Sequence, residues 1–316
     1  MSGVAFVFPG QGAQYVGMGR DFSRDYFQAQ EVFETADKTL DFSLSKLCWE
    51  GPEEELKQTV NTQPAIVAVS LAGFKILTEE GFYPEVVAGH SVGEYAALVA
   101  AGVLDVPDAL RLVRKRGQFM QEAGEKYPST MAAILGLSRE KTEAACKVAS
   151  EVGVVEIANL NCPDQIVISG EINAVEKARE IALQMGAKRA LPLAVSAAFH
   201  SSLMQEPAVK LARELDEIEF QEPQIPLVAN ESANYLMASA EIKSALKRQI
   251  TSKVLWEDSI RAMLEKGVDT FVEIGPGTVL SGLVKKISKE VNVLNVQDSV
   301  SLEKTIRELS NLVLKS

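Results

Sequence analysis

Residues 85–100 restrict the possible folds of this chain more than any other stretch. An apolar run of β character at 86–88 is followed by Gly89-His90-Ser91-Val92-Gly93 and then by an Ala- and Leu-rich segment with helical spacing. The pattern predicts a strand, a sharp turn and a helix, with Ser91 at the apex and glycines where strand and helix approach closely. We therefore predict that Ser91 is an exposed nucleophile. The alternative is a structural turn whose serine has no chemical role.

Further short apolar runs predict the other strands of a parallel sheet. Residues 4–8 are continuously apolar, as expected for a strand that is buried on both faces. Residues 225–230 and 270–274 are predicted to be strands of the same sheet, and helical patterns separate them. Loops that follow parallel strands commonly carry functional groups. Gln11, in the loop after the first strand, is thus a candidate site residue, although an ordinary strand–helix turn explains the same residues.

Residues 128–196 have a different rhythm from the rest of the chain. Strands are predicted at 131–137, 154–160, 165–169 and 189–195, and helices at 138–150 and 172–185. The order strand–helix–strand–strand–helix–strand is that of a ferredoxin-like unit. We therefore predict an α/β protein in which residues 1–127 and 197–316 form a parallel-sheet core and 128–196 form an inserted small subdomain. The cleft between the two parts is the expected site.

The chain has only two histidines, and this scarcity helps to identify a base. His90 precedes Ser91 on the turn, where its side chain should point away from the serine. His200 follows the small subdomain and is therefore the histidine that can reach Ser91 Oγ as general base. The alternative is that Ser91 uses a lysine or no base. No acid stands out as a third member of a triad, and Glu273 and Asp269 are candidates by position only.

A basic cluster in the predicted helix 106–120 contains a candidate anion-binding residue. Helical spacing brings Leu112, Arg116 and Phe119 together, so that Arg116 can lie against the apolar side of the helix. An arginine in apolar surroundings requires an anion, which would make Arg116 a clamp for a carboxylate. A solvated basic face is the other interpretation of this cluster.

Composition and charge exclude several classes of function. The net charge of −11 disfavours nucleic-acid binding, and three widely spaced cysteines indicate a reducing compartment. Neither a signal peptide nor a run of about 18 apolar residues is found, so we expect a cytoplasmic protein with no membrane span. Walker, dinucleotide-binding and metal-ligand motifs are also absent, so no metal is predicted and acyl transfer through a serine ester remains.

Six short motifs lie along this chain between residue 4 and about residue 287. They are Phe8-Pro9-Gly10-Gln11-Gly12-Ala13-Gln14, Thr62-Gln63-Pro64-Ala65, Gly89-His90-Ser91-Val92-Gly93-Glu94, Arg116-Gly117 followed by Met120-Gln121, Phe199-His200, and Glu273-Ile274-Gly275-Pro276-Gly277. Together they resemble the motifs of malonyl-CoA:acyl carrier protein transacylases. The resemblance implies a hydrolase-like parallel-sheet core with a ferredoxin-like insert. It also implies transfer of a malonyl group from malonyl-CoA to the phosphopantetheine thiol of an acyl carrier protein, with no cofactor.

The resemblance assigns the main chemical roles to residues of these motifs. It implies Ser91 as nucleophile and His200 as base. The backbone N–H groups of Gln11 and Val92 would form the oxyanion hole. Arg116 would hold the free malonyl carboxylate in a bidentate pair.

Further positions receive supporting roles from the same resemblance. Gln63 and Gln11 are expected to contribute to substrate binding. Phe199 would fill the space that a methyl branch needs, which favours malonyl over methylmalonyl. A backbone carbonyl would orient the histidine in place of an acid, and the matching position is Leu255, where many relatives carry a polar side chain.

The expected macromolecular partner is an acyl carrier protein. Such carriers are acidic, so docking requires a local basic patch near the cleft, for which Lys188-Arg189 and Lys285-Lys286 are candidates. We expect a monomer that supplies extender units for fatty acid or polyketide synthesis. Two alternatives stay open: a serine hydrolase such as a thioesterase, in which Arg116 would have no evident purpose, and a non-catalytic carrier-docking module.

Overall fold

The computed structural model describes residues 3–195 and 197–313, and the larger of its two sheets forms the core. The strands of this sheet are β1 Gly3–Phe8, β2 Val86–Gly89, β7 Leu227–Val228, β8 Tyr235–Leu236, β9 Val268–Ile274 and β10 Asn292–Val296. Their order is β10-β9-β1-β2-β7-β8. All neighbours pair in parallel except β7 and β8, which are antiparallel. The predicted parallel-sheet core is confirmed.

The second sheet is formed by residues between 129 and 192. Its strands are β3 Ser129–Leu135, β4 Val155–Cys162, β5 Gln165–Glu171 and β6 Arg189–Pro192, in the order β4-β5-β3-β6 with antiparallel pairing throughout. The helix Arg139–Ala149 separates β3 from β4, and the helix Ile172–Gln184 separates β5 from β6. This sheet has a hydrophobic cluster of its own. The ferredoxin-like assignment and the boundaries 128–196 stay predictions, and Ser196 lies outside the described residues.

The helices pack around both sheets. Their bounds are α1 Arg20–Asp25, α2 Phe27–Leu40, α3 Leu44–Glu50, α4 Glu53–Leu56, α5 Thr59–Glu79, α6 Gly93–Ala100, α7 Val106–Lys126, α8 Arg139–Ala149, α9 Ile172–Gln184, α10 Gln205–Asp216, α11 Ser239–Gln249, α12 Trp256–Glu265, α13 Val279–Ile287 and α14 Ser299–Val313.

Strand β1 shows why its apolar run has no alternation. Phe6 and Phe8 belong to one core cluster, whereas Ala5 and Val7 belong to another, so both faces of the strand are buried. The register also determines where the loops meet. Phe8 pairs with Gly89 on β2, and Val7 pairs with Glu273 on β9. The loops that follow these three strands therefore lie together at the carboxyl edge of the sheet.

Helix α5 is the central helix of the core. It is long and apolar enough to cross a membrane by length and composition, but 89% of the relevant window is buried inside the protein. The helix begins at Thr59, and Pro64 lies inside it. Proline has no N–H to donate to the carbonyl of Val60, and Arg114 Nη1 donates to that oxygen instead, at 2.8 Å. A side chain from α7 thus compensates for the proline.

Two features of the parallel-sheet core were not predicted from the sequence. Short breaks separate helices α1, α2 and α3, because Tyr26 is extended and Asp41 has a left-handed φ of 57°. Strand β10 was not predicted, since it lies at the sheet edge and its residues are mostly half-buried rather than continuously apolar and buried.

Candidate active site

Ser91 lies in the sharp turn between β2 and α6, and the geometry of this turn explains both flanking glycines. A Cβ atom at Gly89 would lie 2.0 Å from the carbonyl carbon of Gly93, and one at Gly93 would lie 2.2 Å from the carbonyl oxygen of Phe8. Ser91 itself has φ 54°, a left-handed conformation that costs energy and recurs at functional sites. The strand, turn and helix predicted for 85–100 are therefore present, and Ser91 lines a cavity.

Asn230 fixes this turn from the loop after β7. Its Oδ1 accepts a hydrogen bond from Ser91 N–H at 2.7 Å, and its Nδ2 donates to the carbonyl of Gly89 at 2.6 Å. The side chain is buried, so both bonds are shielded from water. Asn230 was not predicted as a site residue, although its place at the end of a predicted strand was an available signal.

His200 is in hydrogen-bond contact with the serine. Its Nε2 lies 2.7 Å from Ser91 Oγ, and its Nδ1 lies 3.0 Å from the carbonyl oxygen of Gln249 and 3.1 Å from that of Ser252. A carbonyl only accepts, so Nδ1 carries the proton and Nε2 is free to accept one from Ser91. The structure thus brings together the predicted nucleophile and base without a third acid.

The prediction that the Leu255 carbonyl orients His200 is wrong. That carbonyl accepts hydrogen bonds from Ser259 within α12. Gln249 ends α11, and carbonyls in the last turn of a helix lack intrahelical partners. The Gln249 carbonyl is therefore available to the histidine, and the C-terminus of α11 takes the place of the missing acid.

The surroundings of His200 keep its imidazole neutral. Burial lowers the pKa of His200 to about 3, and the nearby positive charge of Arg116 acts in the same direction, while the two carbonyl contacts oppose the shift. A neutral imidazole at physiological pH is the form that can accept the serine proton.

Arg116 is buried beside the nucleophile, as the clamp interpretation requires. Its Nη1 donates to Gln63 Oε1 at 2.9 Å, and its Nη2 donates to Ser91 Oγ at 3.1 Å and to Gln249 Oε1 at 3.0 Å. Its Nε has no hydrogen-bond partner within the described part of the chain. Burial lowers the pKa of Arg116, but a guanidinium keeps its proton. An anion on the acyl group would therefore find a fixed cation next to the serine.

Gln249 and Glu94 continue the network behind the arginine. Gln249 Nε2 donates to the carbonyl of Ser91 at 2.8 Å and to Glu94 Oε2, while Glu94 Oε1 accepts from Asn230 N–H at 3.3 Å. Both side chains are buried. Burial raises the pKa of Glu94 to about 7, against the effect of these hydrogen bonds and of Arg116. Glu94 belongs to one of the shared motifs but had no predicted role, and Gln249 was not predicted as a site residue.

Gln11 and Val92 lie where oxyanion donors are expected. Val92 N–H follows the nucleophile at the start of α6, and Gln11 is in the loop after β1 that lines the same cavity. Across residues 3–195 and 197–313, neither backbone N–H donates a hydrogen bond to the protein. The Gln11 side chain donates to Thr59 Oγ1 at 3.3 Å. Their role as oxyanion hole stays a prediction.

The cavity at Ser91 has a volume of about 530 Å³ and is bounded by both sheets. Ser91, His200, Arg116, Gln11, Gln63 and Phe199 all line it. Its wall from the small sheet includes Met131, Ala133 and Val167. A group held here is thus enclosed by residues from distant parts of the sequence.

The other sequence candidates have structural partners elsewhere. His90 Nε2 lies 2.9 Å from Asn161 Oδ1 and not on Ser91, as expected from its place on the turn. Glu273 accepts hydrogen bonds from the backbone N–H groups of Leu280 and Ser281 at the start of α13, so it does not serve as the third acid. In the described ranges, no group of three or more His, Cys, Asp or Glu side chains could hold a metal ion.

Comparisons with known proteins agree with this arrangement. A family model described as acyl transferase domain matches residues 5–315. The chain is 47% identical over 310 residues to a malonyl CoA-acyl carrier protein transacylase of Bacillus subtilis, with 98% of each chain covered. It is 45% identical over 288 residues to the protein of that name from Escherichia coli, with 91% of this chain and 93% of that protein covered.

Solved structures are similar over almost the whole chain. The malonyl CoA-acyl carrier protein transacylase of Clostridium perfringens matches with a TM-score of 0.96, 42% identity and 99% coverage of both chains. A type II PKS acyl-carrier protein in complex with its malonyl-transacylase matches with a TM-score of 0.95 and 42% identity, covering 97% of this chain and 100% of that one.

Proposed function

Because the chain belongs to the acyl transferase domain family, we propose that its Ser91 site transfers a malonyl group from malonyl-CoA to the phosphopantetheine thiol of an acyl carrier protein. The observation that supports this function is the hydrogen-bond environment of Ser91 Oγ. Ser91 Oγ lies 2.7 Å from the neutral base His200 and 3.1 Å from the Arg116 guanidinium. A nucleophile with a base and a buried cation suits a thioester whose acyl group carries a carboxylate.

The first half of the reaction forms a malonyl ester on Ser91. Ser91 Oγ attacks the thioester carbonyl carbon while His200 Nε2 takes the hydroxyl proton. The oxygen that becomes negative would accept hydrogen bonds from the backbone N–H groups of Gln11 and Val92. The carbon–sulfur bond then breaks, and the proton on His200 passes to the departing CoA sulfur.

The second half reverses these steps with a different thiol. The phosphopantetheine thiol of the carrier gives its proton to His200 and attacks the ester carbon. The bond to Ser91 Oγ breaks, and the serine recovers its proton from His200. The malonyl group leaves as a carrier thioester, so atoms and charges balance and no cofactor is required.

Arg116 and Phe199 support the choice of acyl group. The Arg116 guanidinium offers a partner for the free carboxylate, and Gln63 accepts a hydrogen bond from Arg116 Nη1 and holds it in place. Gln63 also donates to Met120 Sδ at 3.4 Å, so its visible role is to position the arginine. Phe199 is buried in the cavity wall directly before His200, where a methyl branch on the acyl group would compete with its ring for space. We propose malonyl over methylmalonyl on this basis.

Intact-protein mass spectrometry after brief mixing with malonyl-CoA tests this function. The native chain is expected to gain one malonyl group that is lost on addition of acyl carrier protein, whereas Ser91→Ala gains nothing. Rapid discharge by water without the carrier would instead indicate the hydrolase. No adduct, together with no labelling of Ser91 by a serine-directed acylating probe, would leave the non-catalytic docking module.

The remaining predictions concern the protein as a whole. We propose that it works without a cofactor, as a cytoplasmic monomer, with residues 128–196 as an inserted subdomain. The cavity between the two sheets supports the last point, since the insert would supply one wall of the site. Sedimentation of the purified chain, alone and with the carrier, tests the monomer.

A further inference from the structure

A chain of buried polar groups leads away from the acyl carboxylate clamp and ends at Glu94. The Arg116 guanidinium donates to Gln249 Oε1, and Gln249 Nε2 donates to Glu94 Oε2. All three side chains are almost completely buried, with exposed fractions of 1%, 2% and 2%. The mechanism proposed above uses the arginine but gives no role to the carboxylate behind it.

These hydrogen-bonded polar groups determine the orientation of the Gln249 amide. An amide can turn over and exchange its oxygen and nitrogen at little cost in shape. Here the nitrogen faces two acceptors, the Ser91 carbonyl and Glu94, while the oxygen faces the guanidinium. In the reverse orientation an NH₂ group would face the NH₂ groups of Arg116, and a buried donor would lose its partner.

Both carboxylate oxygens of Glu94 accept hydrogen bonds, and neither neighbouring group can accept one in return. Its second oxygen receives Asn230 N–H, and Asn230 also fixes the Ser91 turn. A neutral amide at position 94 would present its NH₂ either to that N–H or to Gln249 Nε2, and both are donors. Only a carboxylate satisfies both neighbours at once.

We propose that Glu94 is a positioning residue for acyl-group selection: it locks the Gln249 amide, which in turn holds Arg116 in place for the acyl carboxylate. This inference rests on the proposed function, because it assumes that Arg116 meets a carboxylate on the substrate. The Gln249 backbone carbonyl, which orients His200, is separate from the amide and is unaffected by its orientation. Glu94 thus acts on the choice of substrate rather than on the base.

The test is Glu94→Gln, a change that keeps shape and removes the charge. Acylation of Ser91 is followed by intact mass with malonyl-CoA and with acetyl-CoA, whose acyl group has no carboxylate for Arg116. We expect the ratio of the second-order acylation rate constants for malonyl-CoA and acetyl-CoA to fall about tenfold or more, because a charged hydrogen bond is lost from the clamp. Most of the fall should come from a higher half-saturating concentration of malonyl-CoA. The acetyl reaction should change little.

Glu273→Gln is the matched control. Glu273 is also a buried carboxylate that accepts two N–H groups, but its partners are at the start of α13 and not on the arginine. Any loss caused by disturbing the fold should affect malonyl-CoA and acetyl-CoA equally in this variant. If the ratio of malonyl to acetyl rates is unchanged in Glu94→Gln, the inference is overturned. This holds whether both rates fall equally or neither rate falls.

A second measurement uses the native chain and does not depend on the variant folding. When Glu94 binds a proton as the pH falls through about 7, its O–H needs an acceptor, so the Gln249 oxygen turns towards it and away from Arg116. The ratio of the malonyl to the acetyl acylation rate should therefore fall as the pH is lowered from 8.5 to 5.5.

Other titratable groups should not produce this change. A change in the protonation of His200 would affect the malonyl and acetyl reactions equally. Among the other groups that face Glu94, Arg116 stays charged and Tyr95 stays neutral, while Glu231 is paired with Arg248 at 2.7 Å.

The outcomes separate this inference from the proposed function. Absence of any malonyl adduct on the native chain would remove the function itself. A normal adduct on the native chain, with a malonyl-to-acetyl ratio that is the same in Glu94→Gln as in the native chain, would remove only the role of Glu94.

Discussion

At the scale of single residues, the environment of His200 decides how the site can act. The residue has a left-handed φ of 58°, which places its ring between Ser91 Oγ on one side and the end of α11 on the other. Its Nδ1 is saturated by two carbonyls, so the ring cannot turn over without losing both bonds. Burial and the charge of Arg116 then hold it neutral. One side chain is thus fixed in orientation, tautomer and charge by three separate parts of the chain.

The lowered pKa of His200 gives a pH prediction with a definite sign. The base form is present above the pKa, so a value of about 3 keeps His200 competent down to about pH 5. Labelling of Ser91 by a neutral serine-directed acylating probe should therefore be nearly constant from pH 8 to pH 5. A histidine with an ordinary pKa near 6.5 would instead show a fall of about thirtyfold over this range.

The control for this pH profile is His200→Ala. It should label on the order of 10²–10⁴ times more slowly at every pH, because general base catalysis is lost. An inflection of the native profile near pH 6.5 would contradict the interpretation of the site.

At the scale of secondary-structure elements, the close approach of β2 and α6 makes the nucleophile turn intolerant of side chains. Gly89→Ala would place a Cβ atom within 2.0 Å of backbone atoms that have no room to move. We expect this change to destabilise the protein by more than about 4 kcal/mol or to prevent folding, as judged by denaturant unfolding.

Gly282→Ala in α13 is the matched glycine control. A Cβ atom there meets no atom within 4 Å, and the residue is exposed inside a helix. Alanine should raise the free energy of unfolding by about 0.5–1 kcal/mol, because glycine is unfavourable in helix interiors. If both variants behaved alike, steric contact would not be the reason for Gly89.

At the scale of the whole molecule, the site is formed by two sheets, and the carrier must reach it from outside. Lys188 and Arg189 are exposed at β6, an edge strand of the small sheet. Within the described part of the chain neither forms an ion pair, so both can face an acidic partner. Lys285 and Lys286 are less free, because their amines donate to Val291 O at 2.6 Å and to Gln165 Oε1 at 2.9 Å. The first pair is therefore the stronger candidate for docking.

Charge reversal tests this docking surface. Lys188→Glu or Arg189→Glu should lower the rate of malonyl transfer to the carrier by up to about tenfold at low salt, with a smaller effect at high salt. Acylation by malonyl-CoA without the carrier should be unchanged. Lys304→Glu is the control, since it makes the same change of charge on the exposed face of α14. Equal effects at positions 188, 189 and 304 would show that only net charge matters.

The sequence was sufficient to predict those structural features whose physical cause lies in neighbouring residues. The turn around Ser91 was predictable because close approach of a strand and a helix demands glycine, and β1 was predictable because burial on both faces demands an apolar run. Helical spacing indicated that Arg116 could lie against the apolar side of α7, with a solvated basic face as the alternative. The small number of histidines left His200 as the only histidine candidate for the base. Function followed from these few residues together with the shared motifs.

Only the tertiary structure decided which groups complete the site. Asn230, Gln249 and Glu94 are polar residues with no distinguishing pattern of their own, and their roles depend on where β7, α11 and α6 end in space. The incorrect choice of Leu255 has the same cause, because a backbone carbonyl leaves no mark on the sequence and its availability depends on where a helix stops. The sequence determined which residues are predicted as nucleophile, base and clamp, whereas the fold determined what holds each of these side chains in place.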